Sequence, residues 1–143
     1  MADGRPFADA AELLCKADSI WCSLTSNDWL AAFRSHPKIG EQTAAEKVAE
    51  QAQAWSQAEQ AGTRDAAPET TRDLASGNRE YEQRFGYIFI VCATGKTSAE
   101  MLAILRERLN NDAETELRVA AEEQRRITQL RLNKLVQSLE SRV

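Results

Sequence analysis

Tyr87-Ile88-Phe89-Ile90-Val91-Cys92-Ala93 decides the fold, because it is the one stretch whose composition argues against a helix. β-Branched and aromatic residues crowd it, and such residues favour strands. A lone strand cannot satisfy its backbone groups in a sheet, and no second convincing strand occurs in the chain. The run therefore reads as an extended or helical buried segment between helices. Thr94-Gly95-Lys96-Thr97 follows it. A phosphate-binding loop would need glycine five positions before the Gly-Lys pair. That position is Ile90, so the phosphate-loop reading is rejected.

Both flanks of the run read as helix. Downstream, Thr97 and Glu100 form a capping box, in which each side chain satisfies a backbone N–H of the other. The box opens a helix through Met101, Leu102, Ile104, Leu105 and Leu109. Asp112 caps a last helix from about Ala113 to Ser138 or beyond. Leu117, Ala120, Ala121, Ile127, Thr128, Leu132, Leu135 and Leu139 fall on one arc at roughly 100° per residue. Gln124 and Arg131 lie inside that arc. A guanidinium on an apolar stripe must find an anion or reach solvent along its own stem.

Upstream, Pro68 suits the first turn of a helix carrying Leu74, Tyr81 and Phe85 inward. Gly77 is its weak point, and Gly86 closes it. Nearer the N-terminus, Phe7 to Ala17 reads as a helix and Ala17 to Leu24 as a short second helix or turn. Ser26 and Asn27 are cap types ahead of a third, which stops at His36-Pro37. Thr43 to Trp55 and Ser56 to Gly62 read as two more. The expected fold is all-α: one helical bundle over residues 1–143, of about seven to nine helices, with an irregular apolar segment near 87–93.

Composition narrows the functions available. The 143 residues are 43% hydrophobic and 28% charged, as in a globular domain. The net charge is −4, and no basic cluster stands free of acidic neighbours, which argues against nucleic acid. The longest apolar run is too short to span a bilayer, so no membrane role is expected. Cys15, Cys22 and Cys92 are an odd set without Cys-x-x-Cys spacing. They read as buried thiols in a reducing compartment, and a cytoplasmic location is expected. One histidine and no cysteine pair make a metal site improbable.

That histidine lies in Ser35-His36-Pro37-Lys38-Ile39-Gly40. Imidazole titrates near neutral pH, so His36 is the first candidate for acid–base chemistry. A histidine that merely ends a helix before proline is the bland alternative. Ser56 and Glu59, followed by Gln60, fit a second capping box, which is likewise a structural explanation for those residues. Cys92 is a poor nucleophile candidate, because an apolar run raises a thiol's pKa.

His36-Pro37, Ser56-x-x-Glu59-Gln60, the run ending Phe89-Ile90-Val91-Cys92-Ala93, and Arg131 stand in one order along the chain. Together they resemble the 2-oxo-4-hydroxy-4-carboxy-5-ureidoimidazoline (OHCU) decarboxylases of urate breakdown. The likeness runs over Phe33 to Gly40, Trp55 to Gly62, Phe85 to Leu102 and Arg108 to Leu135. It implies an all-helical homodimer without metal or organic cofactor, acting on a small ureidoimidazoline to give (S)-allantoin and carbon dioxide. It also implies His36 and Glu59 as the acid–base pair. Pro37, Ser56, Gln60, the 89–93 segment (Phe89, Ile90, Val91, Cys92 and Ala93) and Arg131 would then bind substrate. A helical interaction module without catalysis is the competing reading. It leaves both an inward Arg131 and a histidine before Pro37 unexplained.

Overall fold

The computed structural model describes residues 6–34 and 68–141. Among them are five helices and no β-strand: α1 (Ala10–Ser23), α2 (Ser26–Phe33), α3 (Pro68–Phe85), α4 (Ser98–Arg108) and α5 (Ala113–Glu140). The two helices expected between Thr43 and Gly62 lie outside the described residues. The count of seven to nine is not reached among the described ones.

Helix ends follow local chemistry. Asp9 caps α1 by accepting from the Glu12 N–H, and Leu24 leaves the helix in an extended conformation. The helix and the short second helix or turn expected over 7–24 are one helix, because no proline or glycine interrupts Ala10–Ser23. Thr25, not Ser26 or Asn27, caps α2, and Asp28 completes a reciprocal box with it. The expected box of Thr97 and Glu100 opens α4, and Asp112 caps α5 through the Thr115 N–H. Gly86 closes α3 at φ 80°, a left-handed conformation that costs glycine no Cβ clash.

Residues 88–93 lie in no helix and no strand, and the alternation of their side chains is that of an extended chain. Their side chains alternate between two cores. Phe89, Val91 and Ala93 pack with Leu74 and Tyr81 of α3 and with Met101, Leu102 and Leu105 of α4. Ile90 and Cys92 pack with Phe33 of α2 and with Ala120, Ala121 and Ile127 of α5. The segment is therefore buried on both sides, as a central strand would be, and that burial explains its composition.

α1 closes the second core against α5. The Trp21 indole N–H donates to the Ala121 carbonyl at 3.0 Å, and Arg125 meets Asp18 at 3.0 Å. α3 approaches α4 closely at Gly77, where an added Cβ would lie 2.6 Å from Leu105 Cδ2. The residue that weakens α3 by propensity thus makes room for its neighbour. The apolar arc of α5 is covered only over its first half. Ala120, Ala121 and Ile127 are buried, whereas Leu135 and Leu139 are 37% and 54% exposed. Cys92 is buried as expected, but Cys15 and Cys22 are exposed on α1. That corrects their reading as buried thiols: they occupy the outer face of an amphipathic helix.

Candidate active site

The backbone of 89–93 is held by charged side chains in place of neighbouring strands. Arg108 donates through Nη1 to the Ile90 carbonyl at 2.7 Å. Glu123 accepts from the Cys92 N–H at 2.6 Å, and the Lys96 ammonium donates to the Cys92 carbonyl at 2.6 Å. The chain then turns at Gly95 (φ 78°), where the Lys96 N–H donates to the Ala93 carbonyl at 3.0 Å. No hydrogen bond joins the backbone of Phe89 or Val91 to any other described residue.

Behind the segment lies a buried polar cluster. Glu116 is fully buried and Arg108 is 5% exposed. Glu116 Oε1 accepts from Arg108 Nε at 2.8 Å, from Arg108 Nη2 at 2.6 Å and from the Tyr81 hydroxyl. Its other oxygen accepts from the Asn111 amide at 2.8 Å. A buried ion pair persists only when its remaining hydrogen-bonding capacity is met, and here it is met on both sides. The Arg108 guanidinium also stacks 4.7 Å from the Phe89 ring centroid. Burial drives the Tyr81 phenol well above its ordinary range against the opposing pull of Arg108, so the hydroxyl stays a donor. Tyr87, whose ring meets Tyr81 edge-on, is pushed up to about 12, chiefly by burial.

The expected site residues divide into two groups. Phe89, Ile90, Val91, Cys92 and Ala93 come together as one buried, extended strip. Arg131 lies on α5, one turn beyond Ile127 of the second core, and is half-buried. Two turns before it, Gln124 is 7% exposed, with Nε2 donating to the Thr128 hydroxyl at 3.2 Å. His36, Pro37, Ser56, Glu59 and Gln60 lie outside the described residues. Among the described residues, no group of three or more His, Cys, Asp or Glu side chains could hold a metal ion.

Sequence reasoning missed Arg108, Glu116, Tyr81, Glu123 and Lys96 as parts of this arrangement. Glu116 and Glu123 fall outside the apolar arc of α5, and Lys96 drew notice only as part of a rejected phosphate loop. The one usable signal was the likeness over Arg108-Leu109-Asn110-Asn111-Asp112 and Glu116-Leu117, which marks the stretch without revealing the ion pair.

Comparison with known proteins gives this arrangement a family. The uric acid degradation bifunctional protein TTL of Arabidopsis thaliana is 38% identical over 133 residues, covering 87% of this chain. The chain spans only 39% of that protein's length. The 2-oxo-4-hydroxy-4-carboxy-5-ureidoimidazoline decarboxylase of Amia calva is 34% identical over 140 residues, covering 94% of this chain and 76% of its own length. A crystal structure of OHCU decarboxylase in the presence of (S)-allantoin superposes with a TM-score of 0.78 at 34% identity, covering 94% of this chain and 87% of that one. The family model for OHCU decarboxylase matches residues 1–133, and the chain belongs to that family.

Proposed function

We propose that this chain decarboxylates OHCU to (S)-allantoin in urate breakdown, as one domain spanning 1–143. The observation that carries the reading is the match, over 94% of the chain, to an OHCU decarboxylase structure determined with (S)-allantoin.

The chemistry needs no external electron sink. The substrate bears a carboxylate and a hydroxyl on one ring carbon, next to a ring C=N bond. As the bond to the carboxylate breaks, carbon dioxide leaves, its electron pair forms a C=C bond between the two ring carbons, and the former imine nitrogen takes up a proton. The enol-like intermediate then loses its hydroxyl proton and gains a proton on the carbon bearing the ureido group. Protonation from one face gives one enantiomer. Neutral imidazole accepts a proton and imidazolium donates one, so His36 suits both transfers. Glu59 is its acid–base partner and accepts from ureido or ring N–H groups. Such positioned groups typically contribute ~10²–10⁴-fold each. Ser56 and Gln60 offer a hydroxyl and an amide to the polar ring edge. Pro37 packs on the ring and fixes the direction of His36. The peptide groups of 89–93 meet the same ring, and the planar fork of Arg131 takes a carboxylate or ring carbonyl.

The enzyme acts without a cofactor, as a homodimer, in the cytoplasm. No helix among the described residues is long and apolar enough to cross a membrane.

Turnover of freshly made OHCU, followed by ultraviolet absorbance, tests the reading together with His36→Asn, Glu59→Gln and their double variant. Both single variants should lose most activity while keeping the wild-type melting temperature. The double variant should be scarcely worse than either, because residues acting as one unit are not additive. If Glu59 only caps a helix, glutamine replaces it nearly silently, since Gln also completes a capping box. Wild-type turnover in His36→Asn overturns the assignment.

A further inference from the structure

The geometry points to Glu123, Lys96 and Arg108 as positioning residues that turn one backbone edge of 89–93 toward the substrate; this rests on the function proposed above. A trans peptide is planar, so its C=O and its N–H point in opposite directions. Fixing one of the two therefore aims the other. Arg108 holds the Ile90 carbonyl, which turns the Val91 N–H the opposite way. Glu123 holds the Cys92 N–H, which turns the Val91 carbonyl away from Glu123. Lys96 holds the Cys92 carbonyl, which turns the Ala93 N–H away from Lys96.

Three consecutive peptide planes are thus set by three charged side chains, and every clamp acts on an even-numbered residue. In an extended chain the even and odd residues present their polar groups to opposite edges. The clamped edge belongs to Ile90 and Cys92. The other edge offers, in order, the Val91 N–H, the Val91 C=O and the Ala93 N–H. That donor–acceptor–donor array complements a ring amide or ureide, whose edge alternates C=O and N–H. A neighbouring strand could set the same planes, but it would consume the edge. Side-chain clamps leave it open among the described residues, and their charge strengthens each bond. Arg108 is itself locked by Glu116 at 2.6 Å, so the plane it sets is anchored in the buried cluster.

Steady-state kinetics with OHCU and the affinity for (S)-allantoin test this on the full chain. Glu123→Ala and Lys96→Met should each raise KM at least about tenfold and weaken (S)-allantoin binding in parallel. kcat should change much less, because the edge binds ground and transition states alike. Glu123→Gln keeps an oxygen for the Cys92 N–H and should stay within about threefold of wild type. Arg126→Ala is the control: Arg126 pairs with Glu123 at 3.0 Å and is 56% exposed, and its loss should leave KM unchanged. A merely structural role predicts the reverse, a lower melting temperature with normal KM. Normal KM in both Glu123→Ala and Lys96→Met overturns the inference, as does equal damage from Glu123→Ala and Glu123→Gln. Should Glu123→Ala fail to fold, Lys96→Met decides. A wild-type protein that leaves OHCU unchanged overturns the proposed function instead.

Discussion

Replacing Glu116 by glutamine should be among the most damaging single substitutions in the chain, although glutamine has nearly the same shape. Glu116 is fully buried and its carboxylate accepts four hydrogen bonds: two from Arg108, one from Tyr81 and one from Asn111. All four partners are donors. A glutamine amide offers one acceptor oxygen and two further donors. Whichever way it turns, an N–H₂ group faces either the Arg108–Tyr81 pair or the Asn111 amide. The substitution also leaves the Arg108 guanidinium, only 6% exposed, without a counter-charge. Breaking a buried pair from one side costs about 3–5 kcal/mol. For a chain of this length, that corresponds to a fall in Tm of roughly 10–15 °C. Tyr81→Phe removes the hydroxyl that donates to Glu116 and accepts from Arg108 Nη2 at 3.3 Å, but it leaves the ion pair intact, so it should cost less, about 1.5–3 kcal/mol. Arg108→Met combined with Glu116→Leu should cost less than the sum of the two single substitutions, because the second change removes the charge orphaned by the first. Urea unfolding of the five variants (Glu116→Gln, Tyr81→Phe, Arg108→Met, Glu116→Leu and the last two combined) measures all of these terms. A loss below about 1 kcal/mol in Glu116→Gln, or strict additivity in the double variant, would refute the reasoning.

Three further predictions follow from local geometry. Arg131→Lys keeps the charge but loses the two-point fork, so kcat/KM should drop at least about tenfold; wild-type kinetics would return Arg131 to the class of half-buried surface cations. Gly77→Ala gains about 1 kcal/mol of helix propensity. It also forces a Cβ to within 2.6 Å of Leu105 Cδ2, and overpacking costs about 1–3 kcal/mol. The net loss should shrink in a Leu105→Ala background, and an equal effect in both backgrounds would show that the contact relaxes freely. The carboxyls of Asp28, Glu100 and Asp112 are held below their ordinary values of 3.8, 4.5 and 3.8 by cap hydrogen bonds from Thr25, Thr97 and Thr115 respectively. Stability from a lowered carboxylate is present above the unfolded value and is lost as pH falls through the folded one. Tm should therefore decline as pH falls below about 4.5, and Thr97→Ala should flatten that decline; a Tm constant from pH 5 to 3 would contradict it.

What the sequence revealed and what it hid have one physical origin. The starts of α4 and α5 were legible because a cap is a local contract: Thr97 with Glu100, and Asp112 with Thr115, need only three-residue spacing to recognise each other. The run was legible as buried and unpaired, since its composition reports burial on two faces and the described residues hold no partner strand for it. The clamps on its backbone were not legible. Arg108 and Ile90 are 18 residues apart, and Glu123 and Cys92 are 31 apart. A charged residue on a helix reads as solvent-facing unless its distant partner is known, so nothing in the sequence marked Glu116 and Arg108 as members of the core. The apolar arc of α5 misled in the opposite sense. Periodicity placed Leu135 and Leu139 on the same stripe as Ile127, but a helix of 28 residues outruns the core beneath it, and both leucines stand exposed. Periodicity identifies which face can be buried; only the extent of the neighbouring elements decides how far along the helix it is. For the same reason Arg131, placed where coverage gives way to exposure, is half-buried while Ile127, one turn earlier, is buried.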